Sequence, residues 1–238
     1  MANARFKIKH YLVGCYNPSI ILTYIAIFIS VYTMFLVDKG NYKIIFGNLI
    51  LVGLCDLFDG KIARACKRNK AEQYFGVQLD TLADVVCSLI FPSYILYTLT
   101  DSIINPIIVY MVIVFYISTG IMRLCWFYVL SDMGEEANEL ENKQIILSTI
   151  SKQTEQSKRY FIGLPVTATT AIMPILIYIL SILNVNKQIR AIASCITYSI
   201  ISILYILNIK INKPGKKGGI TLLVVGLILY TLYQLHIK

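Results

Sequence analysis

Apolar stretches recur along the chain, parted by short polar links. A bilayer span needs about 20 apolar residues. Windows of that size predict seven spans: 19–37, 42–66, 76–99, 103–130, 161–184, 188–210 and 219–236. The one long link, 131–160, mixes acids (Asp132, Glu135, Glu136, Glu139, Glu141) with Lys152 and Arg159, and reads as a solvated linker or a mobile gate. Residues 2–14 are too short and too charged to span, and fit a short interfacial helix, basic on one side. Pro165, just after Gly163, suits the first turn of a helix. Pro174 predicts a kink in the fifth span, which membrane helices tolerate. The pattern is that of an all-α, polytopic membrane protein with a single transmembrane domain.

Composition agrees. Hydrophobic residues make up 57% and charged ones 15%, against about 45–50% and about 25% in a soluble domain; the mean hydropathy is +0.67. A net charge of +9 would suggest nucleic acid in a soluble chain. Here the basic residues sit between apolar runs, where they set topology and meet anionic lipid. With the N-terminus inside, only Lys39, Lys43, Lys187, Arg190 and Lys238 of the 22 Lys and Arg fall outside, so the N-terminus is predicted to be cytoplasmic. Residues 1–12 lack the apolar core and cleavage site of a signal peptide. The six cysteines form no Cys-x-x-Cys pair and read as small buried apolar residues. The two histidines, His10 and His236, lie near the termini, which nearly excludes a histidine-based metal site or catalytic base inside the fold.

Two neighbouring spans are wrong for plain bilayer helices. The second ends with Asp56, Asp59, Gly60, Lys61, Ala63 and Arg64; the third begins with Gly76, Asp80 and Asp84. Four carboxylates in or beside the apolar slab could cost on the order of 10 kcal/mol on insertion scales, so something must offset them. At about 100° per residue, Asp56, Asp59, Gly60, Ala63 and Arg64 share one side of a helix. Gly76, Asp80 and Asp84, four apart, form one stripe of the next. A short link makes the two helices antiparallel neighbours, so the stripes can face each other. Four converging carboxylates cannot all stay ionised without cations. Ligation by oxygen alone points to a hard ion such as Mg²⁺, Mn²⁺ or Ca²⁺. Two divalent ions would neutralise the four acids and could clamp a phosphoryl group for in-line displacement. Gly60, Ala63 and Gly76 remove bulk beside the acids, either for a phosphate or nucleotide to approach or for close helix packing. Arg64 is a natural diphosphate ligand.

The string Asp-x-x-Asp-Gly-x-x-Ala-Arg, a spacer, then Gly-x-x-x-Asp-x-x-x-Asp resembles the signature of the CDP-alcohol phosphatidyltransferase family. Asp56, Asp59, Gly60, Ala63, Arg64, Gly76, Asp80 and Asp84 fill every fixed position. The spacer Ala65–Phe75 is longer than the family's usual one, with the excess in Cys66–Lys70. The resemblance covers roughly residues 17–210. It implies a six-helix core, a homodimer and an active site open to the cytoplasmic leaflet of the cell membrane. It also implies that Asp56, Asp59 and Asp80 hold metal, two ions of Mg or Mn, and that Asp84 contributes to the metal site and acts as general base. Asp59, Gly60, Ala63, Arg64 and Gly76 are implied to bind the CDP portion. The span at 219–236, within residues 211–238, exceeds that core, and residues 1–16 precede it as the interfacial segment.

Three stretches resemble the phosphatidylserine synthase branch: Gly76–Val86, Arg123-Leu124-Cys125-Trp126-Phe127, and Gly163-Leu164-Pro165-Val166-Thr167 after Arg159. They favour L-serine as acceptor, with CDP-diacylglycerol or a CDP-archaeol-type lipid as donor. Arg123 and Arg159 are candidates for holding the serine carboxylate through a bidentate pair. The alternatives are a sibling enzyme acting on glycerol 3-phosphate or inositol phosphate, and, more remotely, a cation transporter using intramembrane acids.

Overall fold

The computed structural model describes residues 14–37, 40–137 and 160–212, with 224–228, 230, 231 and 235 beyond them. Its body is a helical bundle. A 3-10 turn (Pro18–Ile20) leads into α1 (Ile21–Leu36), followed by α2 (Tyr42–Ala65). The next helix, α3 (Lys70–Asp84), passes through a π-helical segment (Val85–Ile90) into α4 (Phe91–Thr100), making one continuous rod. Then come α5 (Pro106–Ala137), α6 (Ala168–Ile182) and α7 (Lys187–Ile206). A short antiparallel ladder joins β1 (Tyr160–Ile162) to β2 (Lys210–Asn212), pairing Phe161 with Ile211.

Asparagines open the helices. Asn17, Asn41, Asn69 and Asn186 each accept a backbone N–H of the turn they precede, the orphan donors of a helix start. At Asn69 the Glu72 side chain reaches back to the cap N–H and completes a capping box. Pro18 and Pro106 occupy first-turn positions, where a missing N–H costs nothing.

Pro18–Leu36, Lys70–Thr100, Pro106–Val129 and Lys187–Ile206 are long and apolar enough to cross a membrane. Helix α2 has the length, with 24 residues, but its own charges set it apart. Helix α6 has 15 residues, or about 23 Å at 1.5 Å per residue. Large apolar side chains such as Phe28, Phe35, Ile107 and Met111 are exposed along the outside, as a lipid-facing surface requires. Inside, Ile45, Phe46, Leu49, Leu89, Phe91, Ile95, Leu96 and Met173 are fully buried. Small residues set the closest crossings: a Cβ on Gly53 of α2 would lie 2.5 Å from the Thr170 Oγ1 of α6, and one on Gly120 of α5 would lie 2.3 Å from Leu89. The Asn48 amide donates to Thr33 across the α1–α2 contact at 2.8 Å.

Several sequence expectations need correction. The helix after the second span begins at Lys70, not residue 76, so much of the spacer is helical. The fourth span continues to Ala137, into what reads as polar linker. The fifth begins at Ala168: residues 160–162 form a strand, Gly163 takes a left-handed φ of 78°, and Pro165 stands before the helix instead of in its first turn. A Cβ on Gly163 would press against the carbonyls of Leu207 and Tyr205, so this turn needs glycine both for its φ and for its space. The sixth span ends at Ile206. Pro174 lies inside α6, which continues past it. Of the seventh span, the described residues are helical, and Gly226 lies against Leu54 of α2. The expected interfacial helix at residues 2–14 falls, but for Gly14, outside the described residues.

Candidate active site

Carboxylates from the last turns of α2 and from the body of α3 converge, as the two stripes require. Asp56, Asp59 and Asp80 each present a carboxylate oxygen, and the three oxygens lie within 4.8 Å of one another. The Asp59 and Asp80 side chains are within hydrogen-bonding reach of each other. Two carboxylates that close need a shared proton or a cation between them. The Thr167 hydroxyl, from the turn before α6, reaches Asp56. Asp84 stands one turn along α3 from Asp80. It is outside the three-oxygen group but within electrostatic reach of all three acids, and the Ser88 side chain hydrogen-bonds it. Oxygen-only donors at this spacing suit a hard divalent cation. Cys55 lies close by but does not join the cluster.

Beside the acids opens a pocket of about 180 Å³. Of the sequence-predicted residues, Asp59, Gly60, Ala63, Arg64, Gly76 and Asp80 line it. Asp56 and Asp84 sit off its wall. Ser19, Ile20 and Thr23 at the start of α1, Arg68 of the α2–α3 link and Val77 of α3 also line it, and the signature gave no hint of them. Ser19 and Thr23 are four apart at a helix start that begins Asn-Pro. That spacing makes them one face, but nothing in the sequence says which helix the face meets.

The link is held in place. The Asn17 amide donates to the Lys67 carbonyl at 3.3 Å and to Glu72 at 3.5 Å, and the Gln73 amide donates to the Arg68 carbonyl at 3.2 Å. The glycines acquire a specific meaning here. A Cβ on Gly60 would lie 3.6 Å from the Arg64 guanidinium, and one on Gly76 would lie 3.2 Å from that of Arg68. Gly76 makes room for the Arg68 head group at the pocket wall, while a methyl at Gly60 would only touch that of Arg64. Among the described residues, neither arginine forms an ion pair with the acids lining the same pocket. Ser19 is 4% exposed, and its Oγ is the single buried side-chain polar atom without a partner among the described residues.

Arg123 is buried at 8% exposure and does not line the pocket. Its Nε donates to the Leu164 carbonyl at 3.3 Å and its Nη2 to the Gly163 carbonyl at 3.5 Å, bracing the turn that precedes α6. Arg159 lies outside the described residues.

A family model described as CDP-alcohol phosphatidyltransferase matches residues 16–201. No curated protein sequence matches the chain.

Proposed function

The chain belongs to the CDP-alcohol phosphatidyltransferase family, and on that premise we propose that it is the serine-utilising kind, forming phosphatidylserine and CMP from serine and CDP-diacylglycerol or its archaeol-type counterpart. Membership makes it a membrane-embedded transferase that moves a phosphatidyl group from a CDP-alcohol to an alcohol acceptor, in a family that uses divalent metals. The observation that carries the reading is the convergence of Asp56, Asp59 and Asp80 beside a pocket bearing two guanidinium groups that form no ion pair among the described residues.

Asp56, Asp59 and Asp80, with Asp84 beside them, would hold two divalent ions, Mg²⁺ or Mn²⁺, whose positive charge lowers the cost of crowding a diphosphate among carboxylates. Arg64 and Arg68 bind the diphosphate through charge-assisted hydrogen bonds. Gly60, Ala63 and Gly76 keep the wall low enough for it to approach. Ser19 and Thr23 face the nucleotide from α1, and the unpartnered Ser19 hydroxyl gains a polar partner there. The acyl chains stay in the bilayer. Asp84 takes the proton of the acceptor hydroxyl, and such base catalysis typically contributes about 10²–10⁴-fold. The freed oxygen attacks the phosphorus attached to diacylglycerol, the bond to the CMP oxygen breaks, and Arg64 stabilises the charge on departing CMP. Arg123 fixes the Gly163–Leu164 turn on the acceptor side, where we place the serine carboxylate, with Arg159 as a second candidate for holding it.

Serine is supported by the three stretches similar to the phosphatidylserine synthase branch. A homodimer, a cytoplasmic active site and residence in the cell membrane belong to the same reading. The test is CMP release by purified protein given CDP-diacylglycerol, Mg²⁺ or Mn²⁺, and a panel of acceptors. Serine should raise release well above the acceptor-free rate. Release driven by glycerol 3-phosphate or inositol phosphate, with serine inert, would replace serine as the acceptor.

A further inference from the structure

Directly after Asp84 the rod changes register. Residues Val85–Ile90 are π-helical, and the Phe91 N–H bonds to the Val86 carbonyl, five residues back. A short π segment in a longer helix is rare and often marks a functional site. The cause is in the sequence. Pro92 carries no N–H, and its ring crowds the carbonyl four residues earlier, which is that of Ser88. The Ser88 carbonyl therefore lacks the donor that an α-helical register would give it, and Ser88 is buried beside Leu89, Phe91 and Ile95. A buried carbonyl without a donor is costly.

A donor comes from another helix. Tyr116 of α5, fully buried, donates its hydroxyl to the Ser88 carbonyl at 2.6 Å. No nearer hydroxyl substitutes: Ser93 donates to Leu89 instead. Tyr116 is itself held. Its hydroxyl oxygen lies 3.0 Å from Thr169 Oγ1, which is 2.7 Å from the Tyr205 hydroxyl, and Tyr205 donates to the Val166 carbonyl at 3.0 Å. The Tyr198 ring meets the Tyr116 ring edge-on at 4.8 Å, and the Tyr198 hydroxyl donates to the carbonyl of Pro92. Gly120, one turn along α5, admits Leu89 of the π segment. Ser88, whose backbone Tyr116 holds, is the residue whose side chain hydrogen-bonds Asp84.

We propose that Tyr116 is a positioning residue for Asp84: its hydroxyl caps the Ser88 carbonyl, to which Pro92 denies an α-helical partner, favours the π register, and thereby sets the direction in which Ser88 and Asp84 face the acid cluster. This rests on Asp84 being the base that accepts the acceptor's proton. Tyr116 touches no substrate, so its effect should fall on turnover and not on donor binding.

The test is a double-mutant cycle of Tyr116→Phe and Pro92→Ala, read in two ways. Thermal unfolding of the metal-free, substrate-free protein tests the hydrogen bond alone. Tyr116→Phe should lower the Tm in the native background and much less in Pro92→Ala, where residue 92 regains an N–H able to serve Ser88 in an α-helical register. Equal losses in both backgrounds would overturn the proposed cap. Steady-state CMP release tests positioning. Tyr116→Phe should lower kcat about ten-fold with the KM for CDP-diacylglycerol within about two-fold of native. On the Pro92→Ala background it should cost little further. A coupled Tm with unchanged kcat, or a loss confined to KM, would overturn the positioning role. Absence of CMP release from the native protein would count instead against the proposed reaction, leaving the thermal cycle to decide the bond.

Discussion

The α2–α3 end of the bundle and the tyrosine cluster beside the π segment are both polar, and they treat polarity in opposite ways. In the cluster every buried group is paired: Tyr116 with Ser88, Tyr198 with Pro92, Tyr205 with Val166 and Thr169. At the pocket, three carboxylates crowd one another, two guanidinium groups stand over glycines, and the Ser19 hydroxyl has no partner among the described residues. Unmatched polarity is expensive in a low-dielectric setting, and a bound charged ligand can offset it. Matched polarity in the same setting rigidifies. Asp84 stands at the junction, with the acids on one side and Ser88 on the other. On the proposed reading, one region is completed by a ligand and the other holds its neighbour still.

The sharpest way to break this comparison is to remove the cation. Chelation should abolish CMP release, and Mg²⁺ or Mn²⁺ should restore it; activity persisting in excess chelator would mean that the acids are balanced by protons alone. Next in size is Asp84→Asn, which should lower turnover about 10²–10⁴-fold while CDP binding, followed by calorimetry, is largely kept. Arg68→Ala should raise the KM for CDP-diacylglycerol about ten-fold, the worth of one charged hydrogen bond, with kcat little changed; an unchanged KM would remove Arg68 from the donor site. Smallest is Ser19→Ala, where a loss of no more than about five-fold in kcat/KM is expected for a neutral hydrogen bond. A gain in thermal stability without ligand should accompany it, because the unpaired buried hydroxyl is gone.

The two regions also differ in how far they were legible. The acid stripes follow from spacing within single helices, and the short link keeps their facing ends within reach, so Asp56, Asp59 and Asp80 could be placed on one site from the sequence. The α1 wall could not. Ser19 and Thr23 meet the pocket through contacts between distant segments, such as Asn17 with Lys67. The start of α6 was misplaced because residues 160–167 are as apolar as a helix, and only the Gly163 turn and the pairing of 160–162 with 210–212 reveal their conformation. Arg68 lies in the α2–α3 link, where periodicity says nothing of direction, and its meaning depends on lying over Gly76.

By itself the sequence determined a membrane bundle, the azimuth of its acids and the hard-cation chemistry they imply, because hydropathy and a period of 3.6 residues are properties of each helix alone. Tertiary structure alone decided which faces the other helices turn toward those acids, and which tyrosine donates to the carbonyl that Pro92 deprives. Those choices depend on the rotation and depth of one helix against another, and small residues such as Gly53 and Gly120 set them through close packing that no periodicity records.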